Sequence, residues 1–311
     1  MSLAPYPDPE GRERELSALA AVVARRRPGV ELVDYGHSVE GRPLRAVRIP
    51  ANHGRSSAPR VLVCANTHGP EFIGNRVCVA LLRGLDGDDS PAHALLEAAE
   101  LWLAPCLNPD GYARTWARAG RGPLPTLRHN HRGVDLNRNW PLPEGERRLP
   151  LPGAGSPTPG DATFRGEAPL SEPETAHLDA LLTAQGFHAS ANLHSFMGTL
   201  FPARVRDRES FERYRGLCQA VRAAQPLARY RWLASRRLDT FTGEQEDHQH
   251  HHHRCWSVCF EVFPVRASYA QHLRAPSLFW RFNPHDPTAW VRNDTLGVAA
   301  YLRAALELPR P

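Results

Sequence analysis

Four short apolar runs divide this chain, and they constrain its fold more than any other feature. Each has the length and composition of a strand buried on both faces, and they lie at 61–65, 101–107, 189–193 and 257–263. An alternating strand is predicted at 45–49, and helical spacing is seen at 10–27, 71–85, 207–224 and 294–308. Strands that alternate with helices predict an α/β fold, a single three-layer α/β/α domain over residues 1–311 with a mixed, mostly parallel central sheet.

The charge of the chain gives no sign of a nucleic-acid-binding protein. The net charge is +5, and all 38 basic side chains are arginine. A nucleic-acid-binding surface would cluster that charge among aromatic residues, whereas these arginines are spread along the chain. No apolar run approaches the ~18 residues of a membrane span. The sequence therefore predicts no nucleic acid and no membrane among its partners, and it leaves the oligomeric state open.

The cysteines and the N-terminus indicate a cellular location. Six cysteines show no short regular spacing, and Cys64, Cys106 and Cys259 lie within the apolar runs. We expect them to behave as small core residues. The N-terminus has no basic region followed by an apolar stretch, so no secretory signal is predicted. Reduced thiols in a cytoplasmic protein are the expectation.

Histidines and carboxylates follow the carboxyl ends of three of the apolar runs. His68 and Glu71 come just after the first run. His194 directly follows the third, and Glu261 lies near the end of the last. Because ligands of open α/β sheets bind outside the carboxyl ends of strands, we expect these four side chains to converge. Two histidines and a carboxylate can hold one zinc ion and leave a position open for water.

Three of these residues have an ordinary explanation when considered alone. The spacing His68-x-x-Glu71 is common, and the helix dipole favours a glutamate at a helix start. His194 alone is typical of a hydrogen-bonded core histidine. Glu261 is different, because it interrupts an apolar strand in which an unpaired carboxylate would be costly. A buried glutamate of this kind requires a cation, a proton or a function.

A further group of polar residues lies between 128 and 139. Arg128 and Arg138 can make bidentate contacts with a carboxylate or an oxyanion. Asn137 supplies another hydrogen-bond donor. Asp135 could accept a hydrogen bond from the second nitrogen of a metal-bound imidazole. This stretch therefore supplies the parts of an anion-binding site.

Along the chain these residues fall into five ordered motifs. They are His-Gly-Pro-Glu at 68–71, Asn-Pro-Asp-Gly at 108–111, Gly-Val-Asp-Leu-Asn-Arg-Asn at 133–139, Leu-His-Ser at 193–195 and Phe-Glu at 260–261. The ordered set resembles the zinc carboxypeptidases of the carboxypeptidase A superfamily. Further matches at 36–44 and 171–175 extend the resemblance over about residues 34–264. It implies a carboxypeptidase-like fold, one zinc ion per chain, and hydrolysis of the C-terminal bond of a peptide or peptide-like substrate.

The resemblance also implies roles for individual residues in holding the metal. His68, Glu71 and His194 would be the zinc ligands, with water in the fourth position. Asp135 would orient His68. These assignments match the chemistry expected of such side chains at strand ends.

The remaining roles concern catalysis and substrate binding. By the same resemblance, Glu261 would act as general base and then as acid, and Arg128 would stabilise the oxyanion. Asn137 and Arg138 would bind the free carboxylate of the substrate. Two other arginines lie close to the expected place of Arg128 and are alternatives to it, Arg121 and Arg132.

The sequence leaves other substrates open. The same zinc site would suit an amidase that cuts a γ-glutamyl bond in a murein peptide, or a deacylase of N-acyl amino acids. A catalytically silent binding module is disfavoured, because every expected metal and base residue is present. The digestive members of the superfamily carry a tyrosine some twenty residues before the catalytic glutamate. Here residues 236–256 contain no tyrosine, and Phe241 is the aromatic residue near that place.

Segment 236–256 is also rich in histidine and acidic side chains. They are Glu244, Glu246, Asp247, His248, His250, His251, His252 and His253. The favoured interpretation is a mobile, solvated loop. A lid or specificity loop, whose acidic groups would favour a cationic substrate end, is the second. An accessory metal site is the third, since histidine-rich tracts bind metal ions.

Overall fold

The computed structural model describes residues 2–52, 58–87, 90–233, 240–273 and 277–311. Within these residues, one mixed sheet contains eight strands. They are β1 Glu31–His37, β2 Pro43–Ile49, β3 Arg60–Ala65, β4 Glu100–Ala104, β5 Ala189–Ser195, β6 Thr199–Pro202, β7 Arg231–Trp232 and β8 Trp256–Val262. The spatial order is β1-β2-β4-β3-β5-β8-β6-β7. The central strands β4, β3, β5 and β8 are parallel, whereas β1 pairs antiparallel with β2, β2 with β4, and β6 with β8.

Helices cover both faces of this sheet. They are α1 Pro9–Arg26, α2 Phe72–Gly84, α3 Pro91–Leu96, α4 Pro109–Ala117, α5 Leu124–Arg128, α6 Pro173–Gln185, α7 Arg208–Ala224, α8 Gln245–His251, α9 Val265–His272, α10 Phe279–Phe282 and α11 Thr288–Leu306. Single 3₁₀ turns occur at Leu136–Arg138 and Pro152–Ala154. No helix in the described part of the chain is both long enough and apolar enough to cross a membrane.

Alternation along β3 shows how the layers are built. Val61 and Val63 are buried in a core cluster that contains side chains of α1, α2, α7 and α11. Leu62 and Cys64 point to the opposite face, where they join a second cluster with Leu178 of α6. Successive side chains of a strand point to opposite faces, so an uninterrupted apolar run can serve two cores. Each fully buried side chain of this size contributes about 1.5–3 kcal/mol. The predicted three-layer α/β/α fold is confirmed.

The predicted apolar runs correspond to β3, β4, β5 and β8, and the run at 45–49 corresponds to β2. The predicted helices are α1, α2, α7 and α11, of which α11 begins earlier than expected, at Thr288. The edge strands β1 and β7 were not predicted, because they are short or carry polar side chains on both faces. The cysteines are free and buried.

The segment that contains the histidine run has a different structure from the predicted mobile loop. Residues 236–239 lie outside the described part of the chain, and helix α8 follows them. Gln245 to His250 are buried, and the helix packs against β5 and β8. The mobile-loop prediction is therefore wrong for the described residues, and the reason is a network of internal hydrogen bonds. Examples are Asn192 Nδ2 to Gln249 Oε1 at 2.9 Å and Arg204 Nε to Asp247 Oδ2 at 2.7 Å.

Candidate metal centre

The turn after β3 carries His68 and Glu71 at the carboxyl end of this central strand. Asn66 takes a positive φ of 57° as the strand ends, and its side-chain amide donates to the carbonyl of His68 at 2.7 Å. A Cβ atom on Gly69 would collide with the carbonyl oxygen of Leu127. Glycine is therefore required for this turn to pack closely against the end of α5. Glu71 occupies the N-cap position of α2.

The Asn-Pro-Asp-Gly motif braces this turn from the neighbouring strand. The Asn108 side chain accepts a hydrogen bond from the amide of Gly111 at 2.8 Å, which caps α4. It also donates to the carbonyl of Thr67 at 3.2 Å. Asp110 is buried and accepts from the hydroxyl of Ser38 at 2.7 Å. These contacts hold the turn after β3 in place.

His68, Glu71 and His194 meet at the carboxyl ends of β3 and β5, and we call them the strand-end cluster. His68 Nδ1 lies 2.8 Å from Glu71 Oε1, and His194 Nδ1 lies 3.1 Å from Glu71 Oε2. The two Nδ1 atoms are 3.1 Å apart. All three residues are only 1–2% exposed.

These distances match the donor set of a zinc site. Zinc–ligand bonds of about 2.0–2.1 Å in a tetrahedron place neighbouring donor atoms ~3.3 Å apart. Two imidazole nitrogens and a carboxylate that point at one another in a buried place call for a shared cation. Burial opposes ionisation of Glu71, but His68 and His194 outweigh it and lower the pKa of this carboxyl. An ionised carboxylate is the form that binds metal.

Asp135 fixes the orientation of His68 from behind. Its Oδ1 atom lies 3.1 Å from His68 Nε2, and its Oδ2 atom accepts from Arg128 Nε at 2.9 Å. Burial disfavours the charged form, but Arg128 and His68 hold the pKa of Asp135 well below its usual range. An ionised Asp135 accepts the proton on Nε2, so the geometry assigns the Nδ1 lone pair of His68 to the metal position.

The remaining predicted residues lie around one cavity of about 250 Å³ next to the cluster. His68, Arg128, Asn137, Arg138 and Glu261 all line it. Its other wall residues include Ala162 and Thr163 from the segment before α6, Met197 from the connection between β5 and β6, and Phe241 and Glu244 from the segment before α8. The described wall includes neither of the two alternatives to Arg128, Arg121 and Arg132.

Glu261 enters the cavity from β8. The parallel register places it directly beside His194 of β5, so both side chains leave the same face of the sheet. It is the one residue of β8 that is partly exposed. Its Oε2 atom is buried and has no hydrogen-bond partner among the described residues. Burial and the nearby charge of Glu71 raise the pKa of this carboxyl, which is typical of a base beside a cation site.

Arg138 and Asn137 are tied to the start of α8. Arg138 is 4% exposed, and its Nη1 atom lies 3.3 Å from Glu244 Oε1. Its guanidinium also lies over the ring of Phe241, at 4.9 Å. Asn137 Oδ1 accepts a hydrogen bond from the amide of Gln245 at 2.9 Å. These pairs could not be predicted from the sequence, because the partners are more than one hundred residues apart in the chain.

Comparison with known proteins agrees with this geometry. A family model described as zinc carboxypeptidase matches residues 16–272. Carboxypeptidase D of Rattus norvegicus is 38% identical over 152 residues, and the match covers 40% of this chain and 11% of that protein. A metallocarboxypeptidase A-like protein of Trichophyton verrucosum is 31% identical over 174 residues, and the match covers 53% of this chain and 39% of that protein. The chain thus covers well under half of the length of these relatives.

Solved structures give the same fold. Carboxypeptidase A from Helicoverpa armigera superposes with a TM-score of 0.76 at 21% identity, over 100% of this chain and 76% of that one. Thrombin-activatable fibrinolysis inhibitor superposes with a TM-score of 0.74 at 19% identity, over 98% of this chain and 75% of that one.

Proposed function

Since the chain belongs to the zinc carboxypeptidase family, we propose that it is a zinc-dependent metallocarboxypeptidase that hydrolyses the C-terminal amide bond of a peptide. One observation carries the proposal. Two imidazole nitrogens that lie 3.1 Å apart, each within 3.1 Å of an oxygen of the Glu71 carboxylate, adjoin a cavity that also contains a base and a buried arginine. We assign one zinc ion per chain to His68 Nδ1, the Glu71 carboxylate and His194 Nδ1.

Glu261 performs the proton transfers in this proposal. When bound, zinc lowers the pKa of a water ligand and polarises the scissile carbonyl. Glu261 takes the proton of the attacking water and gives it to the departing amine. Its unpartnered Oε2 atom supports this role, because a buried carboxylate oxygen without a donor is available to a proton.

Two arginines bind the two negatively charged groups in this proposal, the developing oxyanion and the C-terminal carboxylate of the substrate. Arg128 hydrogen-bonds Asp135 through Nε, and we assign it to the oxygen of the scissile carbonyl as charge develops there. Arg138, deeper against Phe241 and Glu244, takes the C-terminal carboxylate together with Asn137. A carboxylate held at Arg138 leaves only the last peptide bond within reach of Glu261. The arrangement thus favours removal of single C-terminal residues.

We also propose that the protein resides in a reducing compartment. The support for this is the state of the six cysteines, which are buried and free. Secreted proteins more often use cysteines in disulfides. We therefore propose a cytoplasmic enzyme, which cell fractionation with a specific antibody would test.

Product mass spectrometry tests the proposed reaction. Zinc-loaded protein would be incubated with a peptide library, muropeptides and N-acyl amino acids, with and without a chelator. Chelator-sensitive loss of single C-terminal residues is expected, and the same peptides with amidated C-termini should resist cleavage. Cleavage of muropeptides alone, or of N-acyl amino acids alone, would overturn the proposed substrate and leave the zinc chemistry in place.

A further inference from the structure

A second group of metal-donor side chains lies in the helical layer, away from the strand-end cluster. Asp179 comes from α6, His248 from α8, and His253 from the turn after α8. His248 Nε2 and His253 Nε2 each lie 2.7 Å from Asp179 Oδ1. The three donor atoms all lie within 4.8 Å of one another. We call these three residues the helix-layer cluster.

We propose that the helix-layer cluster is a second divalent metal site, with zinc as the ion. Two imidazoles and one carboxylate are a donor set that zinc and other first-row divalent metals use, with water at the open positions. Both imidazole nitrogens lie against the same carboxylate oxygen, so the three donor atoms form one compact group. The two rings are nearly perpendicular, at 83°, and approach that oxygen from different directions.

The exposure of the cluster suits reversible loading from solution. The side chain of Asp179 is 21% exposed, whereas those of His248 and His253 are 4% and 7% exposed. Solvent therefore reaches the carboxylate side, while the imidazoles are already held in place. Trp140, which is fully buried, lies beside His248, with ring centroids 5.3 Å apart.

The site would fasten one end of α8, and the other end of that helix touches the substrate pocket. Gln245, at the start of α8, donates its amide to Asn137, and Glu244 just before it pairs with Arg138. An ion at the opposite end joins α8 to α6. Under the proposed function, this ion would steady the carboxylate-binding pair Asn137 and Arg138 and lower KM. This consequence rests on the proposed function, but metal binding itself does not.

Counting bound zinc tests the proposal. Untagged protein, purified without nickel resin and stripped with a chelator, would be titrated with Zn²⁺ and weighed by native mass spectrometry. We expect two zinc ions on the wild type and one on either Asp179→Asn or His253→Gln. His252→Gln is the matched control, because His252 belongs to the same run and stacks on His248 at 4.9 Å but is not a donor of the cluster. It should keep two.

A His194→Gln variant separates the two sites. It should keep one zinc ion, and zinc in hundredfold excess over Kd should raise its Tm by about 4 °C. The shift should disappear in a His194→Gln/Asp179→Asn double variant. Retention of the second ion by both Asp179→Asn and His253→Gln would overturn the site and assign that ion to the exposed histidines. A single ion on the wild type that His194→Gln removes would also overturn the helix-layer site. A single ion on the wild type that Asp179→Asn removes would instead refute the strand-end zinc site.

Discussion

The strand-end cluster and the helix-layer cluster use the same side-chain chemistry but are held in different ways. Residues of the strand-end cluster follow neighbouring parallel strands, are 1–2% exposed, and are positioned by the sheet register and by Asp135. Residues of the helix-layer cluster come from two helices and a turn, and their carboxylate is 21% exposed. The first geometry is rigid before any ion binds, as catalysis requires. The second depends on how two helices dock, which suits a site that stabilises structure.

The largest loss of activity is expected when a ligand is removed from the strand-end cluster. His194→Gln should reduce turnover to background, because three protein ligands are needed to hold a catalytic zinc ion. Turnover of a C-terminal peptide substrate and zinc content would be measured together. Asp179→Asn is the paired control, and it should retain kcat at saturating substrate even though its KM rises. Equal losses in the two variants would show that the clusters do not have separate roles.

Removal of the base leaves the metal in place. Glu261→Gln keeps the size of the side chain but cannot accept a proton, so kcat should fall by about 10²–10⁴-fold. Zinc in the strand-end cluster should be retained, because Glu261 is not among its donors. Turnover assays and metal analysis on the same sample would check both parts. Loss of zinc in this variant would mean that Glu261 is a ligand.

Substrate anchoring should respond less strongly than chemistry. Arg138→Ala removes charge-assisted hydrogen bonds worth about 1.5–3 kcal/mol, so KM should rise by about 10–100-fold for peptides with a free C-terminal carboxylate. Amidated peptides should show no such change. Arg132→Ala, whose side chain is 55% exposed and is not part of the cavity wall, is the control. A preference for free termini that survives in Arg138→Ala would contradict the assignment.

The smallest effect is expected in the pH dependence of stability, to which His250 of α8 contributes. Burial lowers the pKa of His250 to about 3, whereas the pKa of a histidine in the unfolded chain is about 6.5. The unfolded state therefore binds a proton as the pH falls below ~6.5, while the folded state does not. The stability that neutral His250 contributes is complete above ~6.5 and is lost progressively towards about 3. Between pH 7 and pH 5 the loss is about 2 kcal/mol.

Replacement of His250 should flatten this acid response. His250→Gln removes the titrating group, so its Tm should fall less than that of the wild type between pH 7 and pH 5. Calorimetry in the presence of a chelator would measure the difference without a contribution from metal. His251→Gln, at an exposed position of the same helix, should keep the wild-type slope. Identical slopes for His250→Gln and the wild type would show that His250 does not titrate as its burial implies.

The same contrast explains what could be predicted from the sequence. The central strands are uninterrupted apolar runs, so their positions and the residues at their carboxyl ends could be read directly. This was enough to bring His68, Glu71, His194 and Glu261 to one edge of the sheet. The roles assigned to these residues stay predictions until they are tested.

Helix α8 and the helix-layer cluster could not be predicted in this way. Segment 245–251 has no apolar periodicity, and its burial depends on polar partners from distant strands, such as Asn192 for Gln249. Asp179 lies within helix α6 and is 74 residues from His253. Local patterns carry no information on such pairs, because tertiary packing alone brings them together.

Asp135 links the imidazole of one proposed metal ligand to the guanidinium of Arg128. One oxygen faces the imidazole of His68, and the other accepts from the guanidinium of Arg128. The proposed metal ligand and the proposed oxyanion-binding arginine therefore share a single support, and changes at His68 and Arg128 should be epistatic through it. Under these proposed roles, a substitution at Asp135 would alter both functions together.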